Sequence, residues 1–121
     1  MSKRILVVED QADNRRILRD LLTSAGYEII QAENGEEALA AVARDRPDLI
    51  LMDIQLPLLD GYEATRRIKA DPELRAIPII VITSYALSGD ESKARAAGCD
   101  AYVAKPYSPR ALLAKIREYV R

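Results

Sequence analysis

Hydrophobic positions along this chain switch repeatedly between two spacings. "RILVVE" (4–9) is an apolar run rich in β-branched residues, which predicts a buried strand. "DNRRILRDLLTSAG" changes the period: Ile17, Leu18, Leu21, Leu22 and Ala25 form one apolar face with charges between them. That spacing predicts an amphipathic helix stopped at Gly26. "YEIIQA" (27–32) is a second strand. "NGEEALAAVARDR" is a second helix, with Asn34 as cap, acids in its first turn, Ala38, Leu39 and Val42 facing inward, and Pro47 blocking its extension.

"DLILMD" is a third strand, and after "QLPLLDG" comes a third helix, "YEATRRIKA", bounded by Asp71-Pro72. "IPIIVIT" (77–83) is a fourth strand and "SGDESKARAAG" a weak, alanine-rich fourth helix ended by Gly98. "CDAYVAK" (99–105) is a fifth strand, broken by Pro106. "SPRALLAKIREYV" closes the chain, with Ser108 as cap, Pro109 at the first helical position and an inner stripe of Leu112, Leu113, Ile116 and Val120. Five strand–helix units with such apolar strands predict an α/β fold: a doubly wound, all-parallel five-stranded sheet with right-handed crossovers and helices on both faces. No linker, repeat or low-complexity segment interrupts them, and the last helix reaches the chain end. A single domain over residues 1–121, without an output domain, is expected.

Composition narrows the picture. The chain has six Tyr but no Phe or Trp, so the core is aliphatic. Its 18 basic and 19 acidic residues give a formal net charge of −1, which provides no global drive toward nucleic acid or a membrane surface. Arg15-Arg16 and Arg66-Arg67 with Lys69 fit solvated helix faces. The single cysteine, Cys99, permits no internal disulfide, suits a reducing compartment and reads as a small buried residue. No apolar run reaches the ~18 residues that span a bilayer, and the start lacks a signal-peptide layout. A cytoplasmic protein is expected. The absence of histidine excludes a Ser-His-Asp triad, a Cys-His pair and a histidine metal site.

Ligands of open parallel sheets bind outside the carboxyl ends of the strands. Strand one delivers Glu9-Asp10 there, strand three Asp53, strand four Thr83-Ser84 and strand five Lys105-Pro106, while strand two delivers only Gln31-Ala32. A single polar strand end is ordinary re-entry into water. Three acids, a hydroxyl and an amine on one edge are a site. Two carboxylates ~4 Å apart repel by about 4 kcal/mol at an effective dielectric near 20, equivalent to about three pK units. A divalent cation removes the conflict, and an all-oxygen donor set points to a hard ion, best Mg²⁺. Lys105 then suits a phosphate oxygen, Thr83 offers a hydroxyl to another, and Asp53 is the candidate nucleophile for aspartyl-phosphate chemistry.

"VVED", "LILMDIQLPLLDGYE", "VITSYA" and "AYVAKP" together resemble the signature segments of a response-regulator receiver domain, over essentially the whole chain. The resemblance implies a (βα)5 flavodoxin/CheY-like fold with strand order 2-1-3-4-5. It makes Asp53 the phosphoacceptor and assigns Mg²⁺ to Asp10, Asp53 and the backbone carbonyl of Gln55, with Glu9 acting through water. It pairs Lys105 with the phosphoryl group, makes the Lys105–Pro106 bond cis, gives Gly61 a structural role and makes Thr83 and Tyr102 a switch pair. Gln55 and Tyr85 occupy positions that tune hydrolysis, and bulky Tyr85 is expected to slow it. The phosphoryl donor is then a partner, a histidine kinase or a histidine phosphotransfer protein, docking around Asn14 to Leu18. A downstream regulatory protein reads the face of the fourth helix, fifth strand and fifth helix, where Tyr107 and Leu87 are candidates.

Three rivals bear on this reading. A phosphatase of the haloacid-dehalogenase type needs a second acid where Gln55 stands, so turnover of an external substrate is not expected. A nucleotide-binding loop needs glycines or a lysine that "EDQADN" lacks. The alternative that keeps the fold is a phosphorylation-independent protein-binding module.

Overall fold

Aliphatic, β-branched runs form the five strands of the computed structural model, which describes residues 2–54, 56–83 and 90–120 (90 and 91 by backbone alone). The strands are β1 (Arg4–Val8), β2 (Glu28–Ala32), β3 (Leu49–Asp53), β4 (Ile79–Thr83) and β5 (Ala101–Ala104). They make one parallel sheet in the order β2-β1-β3-β4-β5. The helices are α1 (Ala12–Ser24), α2 (Gly35–Asp45), α3 (Gly61–Ala70), α4 (Asp90–Ala96) and α5 (Pro109–Arg117).

Strand alternation splits the core in two. Leu6, Val8, Ile50, Met52, Ile79 and Val81 pack with Ala38 and Val42 of α2, Ala64 and Ile68 of α3 and Ala94 of α4. Ile5, Val7, Leu49, Leu51, Ile80 and Ile82 pack with Leu18 and Leu22 of α1 and Leu112 and Ile116 of α5. β3 and β4 are buried along their whole length, as central strands covered on both faces must be.

The helix ends follow local chemistry. Asn34, Asp60 and Ser108 each accept a backbone N–H in the first turn of α2, α3 and α5. α1 ends at Ser24, and Gly26 adopts φ +97° just beyond it. α2 stops one residue earlier than the periodicity suggests, because Arg46 turns left-handed at φ 44° ahead of Pro47. The strands are shorter than their apolar runs. β4 begins after Pro78, and β5 spans only Ala101–Ala104.

Four expectations need correction. Ile17, placed on the inner stripe of α1, is 59% exposed, since Leu18 and Leu22 already fill the face toward the sheet. Cys99 is half-buried, because it stands in the turn between α4 and β5 and not inside a strand. Lys69 does not lie on a solvated face: its ammonium donates to the carbonyls of Arg75 at 2.9 Å and Ile77 at 2.8 Å and to Asp100 Oδ2 at 2.8 Å. Arg15 likewise turns inward, as the site geometry shows.

Candidate functional site

The carboxyl ends of the strands gather the chemistry. Asp53 is the last residue of β3 and shares its parity with Leu49 and Leu51, so it sits on the α1/α5 side of the sheet. Glu9 follows β1 with the parity of Ile5 and Val7, and its N–H still donates to the Ala32 carbonyl at 3.1 Å. Lys105 follows β5 in the same way, its N–H donating to the Thr83 carbonyl at 2.7 Å. Lys105 Nζ lies 3.3 Å from Glu9 Oε1 and 3.4 Å from Asp53 Oδ2. Glu9 and Asp53 are buried, at 2% and 7% exposure, whereas Asp10 beside them faces solvent.

Glu9, Asp10 and Asp53 each offer a carboxylate oxygen, and these oxygens lie within 4.8 Å of one another. The electrostatic consequences appear at two groups. Although Asp10 faces solvent, partial desolvation of its carboxyl, contact with Glu9 and the Glu9 charge push that carboxyl above its ordinary range. Burial of the Lys105 ammonium pulls its pKa down, but the charges of Asp53 and Glu9 and their hydrogen bonds outweigh that, and the net shift is upward. One lysine thus faces three acids. Hard oxygen donors only, converging at this distance, fit a Mg²⁺ ion that keeps some of its water.

Thr83 closes β4 with 1% exposure and has the parity of Ile79 and Val81, which puts it on the opposite face of the sheet from Asp53. Tyr102 pairs in register with Val81 and packs, half-buried, on that same face. Two residues on one face of adjacent strands, Thr83 at the site edge and Tyr102 below it, are therefore close neighbours. The Lys105–Pro106 peptide is cis. A Cβ at Gly61 would stand 2.2 Å from the Asp53 carbonyl oxygen and 2.9 Å from Ile54 Cα, so α3 starts hard against the end of β3. Gln55, Tyr85 and Leu87 lie outside the described residues. Tyr107, expected on the output face, instead packs with the α1/α5 core and lines a groove with Asn14, Ile17 and Leu18 of α1 and Pro106.

Arg15 is the site residue that the hydropathy pattern misses. Its guanidinium donates to the carbonyls of Glu9 at 2.9 Å and Asp10 at 3.4 Å and pairs with Glu33 at 3.1 Å. The available signal was its place on the first helical turn after the acid pair, from which a long side chain reaches back over the loop.

The family model for the response regulator receiver domain matches residues 5–117, and the chain belongs to that family. It is a receiver of two-component signalling. The polar-differentiation response regulator DivK of Brucella anthropi is 47% identical over 120 residues, covering 99% of this chain and 98% of that protein. DivK of Brucella ovis is 45% identical over the same span. Among solved structures, the receiver domain of a sensor histidine kinase from Pseudomonas aeruginosa is 39% identical and superposes with a TM-score of 0.92, with 98% of each chain covered. That structure has a magnesium ion coordinated in its active site cleft. The chemotaxis protein CheY4 of Vibrio cholerae is 27% identical, with a TM-score of 0.92 over 99% of this chain and all of that one. Among the described residues, no helix is long and apolar enough to cross a membrane.

Proposed function

We propose that Asp53 accepts a phosphoryl group from a phosphohistidine on a partner, in a magnesium-dependent reaction that resets the surface read by a downstream protein. The observation that carries this is the convergence of Glu9, Asp10 and Asp53 carboxylates within 4.8 Å, with Lys105 Nζ 3.4 Å from Asp53. Asp10 and Asp53 would hold the metal with the Gln55 carbonyl, and Glu9 would act through water. When bound, magnesium offsets the carboxylate charge and draws phosphoryl oxygens into the cleft.

The chain's own residues do the rest. An Asp53 carboxylate oxygen attacks phosphorus, the P–N bond to the partner's imidazole breaks, and an acyl phosphate forms. Lys105, already held over Asp53, neutralises the charge that arrives with the phosphoryl oxygens. The Thr83 hydroxyl turns to another of those oxygens, and Tyr102, on the same face of the next strand, moves into the space behind it. The change is thereby delivered to α4, β5 and α5. The chain lacks histidine, so the donor is a histidine kinase or histidine phosphotransfer protein. It docks on the groove between α1 and the β5–α5 connection, where Ile17 stands 59% exposed. The cytoplasm is the compartment such donors share. The protein is modified and slowly hydrolyses its own acyl phosphate, and it turns over no external substrate.

Incubation with acetyl phosphate and Mg²⁺, followed by intact mass and peptide mapping, tests the reading. Phosphate on Asp53 is expected. A chain that stays unmodified, or carries phosphate elsewhere, overturns it.

A further inference from the structure

The carboxylates of Glu9 and Asp10 lie just beyond the end of β1, where no ladder holds the chain on both sides. They repel each other, and α1 begins at once without a side-chain cap bond from Gln11. Something has to fix this short connection. The N–H of Glu9 is tied to β2 through Ala32 at 3.1 Å, and the N–H of Gln11 reaches Glu9 Oε2 at 3.3 Å. Arg15 takes both carbonyls: its Nη1 donates to Glu9 O at 2.9 Å and, more weakly, to Asp10 O at 3.4 Å.

The guanidinium is aimed by its other arm. Nη2 lies 3.1 Å from Glu33 Oε1. The main chain of Glu33 is held in turn by the start of α2, where its N–H donates to Glu37 Oε1 at 2.9 Å and Glu37 N–H donates to Asn34 Oδ1 at 2.8 Å. The Arg15 side chain is only 14% exposed while that of Glu33 is 60% exposed. An ion pair so open to water adds little to folding. Its geometric effect is direct, because a planar fork held at one arm directs the other.

We propose that Arg15, steered by Glu33, is a positioning residue that sets the Glu9–Asp10 backbone so that both carboxylates converge with Asp53 on magnesium. This rests on the reading of those three acids as the magnesium cluster. Charge and geometry predict opposite signs, which makes the idea decidable. As a nearby cation, Arg15 repels magnesium, so its removal by charge alone would tighten binding. As a positioning residue, its removal weakens binding.

The test is magnesium titration of the full chain by calorimetry, with amide exchange at Gln11 followed in EDTA. Arg15→Met is expected to weaken magnesium about tenfold, the lower end of what partners of metal ligands contribute, and to speed Gln11 exchange while the metal-free melt is little changed. Arg15→Lys keeps the charge but not the fork, and is expected to lose most of the same affinity. Glu33→Ala should weaken binding, and Glu33→Gln, which still accepts from the guanidinium, should largely restore it. Equal or tighter binding by Arg15→Met, or Glu33→Gln as weak as Glu33→Ala, overturns the role of Arg15. A wild-type chain that ignores magnesium overturns the reading of the site itself.

Discussion

Lys105 reaches across a strand to Asp53: Asp53 ends β3 and Lys105 directly follows β5, with β4 between them, and the two still stand 3.4 Å apart. The same ammonium lies 3.3 Å from Glu9, so one cation serves two buried acids from two other strands. Replacement by Met takes away the ammonium that Glu9 and Asp53 share. Removing one partner of a buried pair costs roughly 3–5 kcal/mol, but Lys105 is partly open to water, so a loss of about 1–2 kcal/mol in urea unfolding is expected. Phosphorylation by acetyl phosphate should fall sharply, and Lys105→Arg should not restore it, because a planar fork does not replace a point charge in this space.

Asp10 carries the opposite cost. Its solvent-facing carboxyl is held above the ordinary range by partial desolvation and by Glu9. An acid whose folded pKa is raised weakens the fold as pH climbs from the unfolded value through the folded one, since the native state holds the proton longer. Asp10→Asn should therefore melt higher than wild type near neutral pH without metal. That advantage should vanish in acid below the ordinary carboxylate pKa, where both proteins are neutral at this position. The variant should also lose the magnesium-induced rise in melting temperature. Melts in EDTA and in magnesium across pH check all three outcomes.

Asp53→Asn separates a phosphorylated switch from a binding module that never needs phosphate. The variant should fold, because Asn keeps the volume of the buried side chain and one oxygen that can still accept from Lys105, and should take no phosphate. Partner binding measured after acetyl phosphate treatment should differ from that of treated wild type. If the two bind alike, the module reading prevails.

Gly61 has no room for a methyl group. Its Cβ would meet backbone atoms at 2.2 Å and 2.9 Å, and backbone cannot swing aside. Gly61→Ala should destabilise the protein by about 1–3 kcal/mol. It should also slow phosphorylation, because the displaced residue is Asp53 itself. Chemical denaturation together with the initial phosphorylation rate measures both effects.

Lys69 offers a control away from the site. Its ammonium joins the end of α3 to the residues before β4 and to Asp100, whose Oδ2 also accepts from Ile79 N–H at 2.8 Å. Lys69→Met leaves these acceptors short of a charged donor, and a loss of about 1–3 kcal/mol is expected. The phosphorylation rate of the folded protein should be unchanged.

Periodicity alone placed five strands and five helices in the right order, because apolar spacing reports which residues must leave water and the parallel sheet is the one way to bury such strands on both sides. It also placed Glu9, Asp10, Asp53, Thr83 and Lys105 on one edge, because parallel strands all finish at the same end. Tertiary packing decided what remained. The α1 pattern offers Ile17 and Leu18 equally, and only the angle at which the helix meets the sheet buries Leu18 and leaves Ile17 outside. Arg15 and Lys69 look like any surface cations until the loops they hold are folded beside them. A long polar side chain finds its partners through space, and no spacing along the chain encodes that distance.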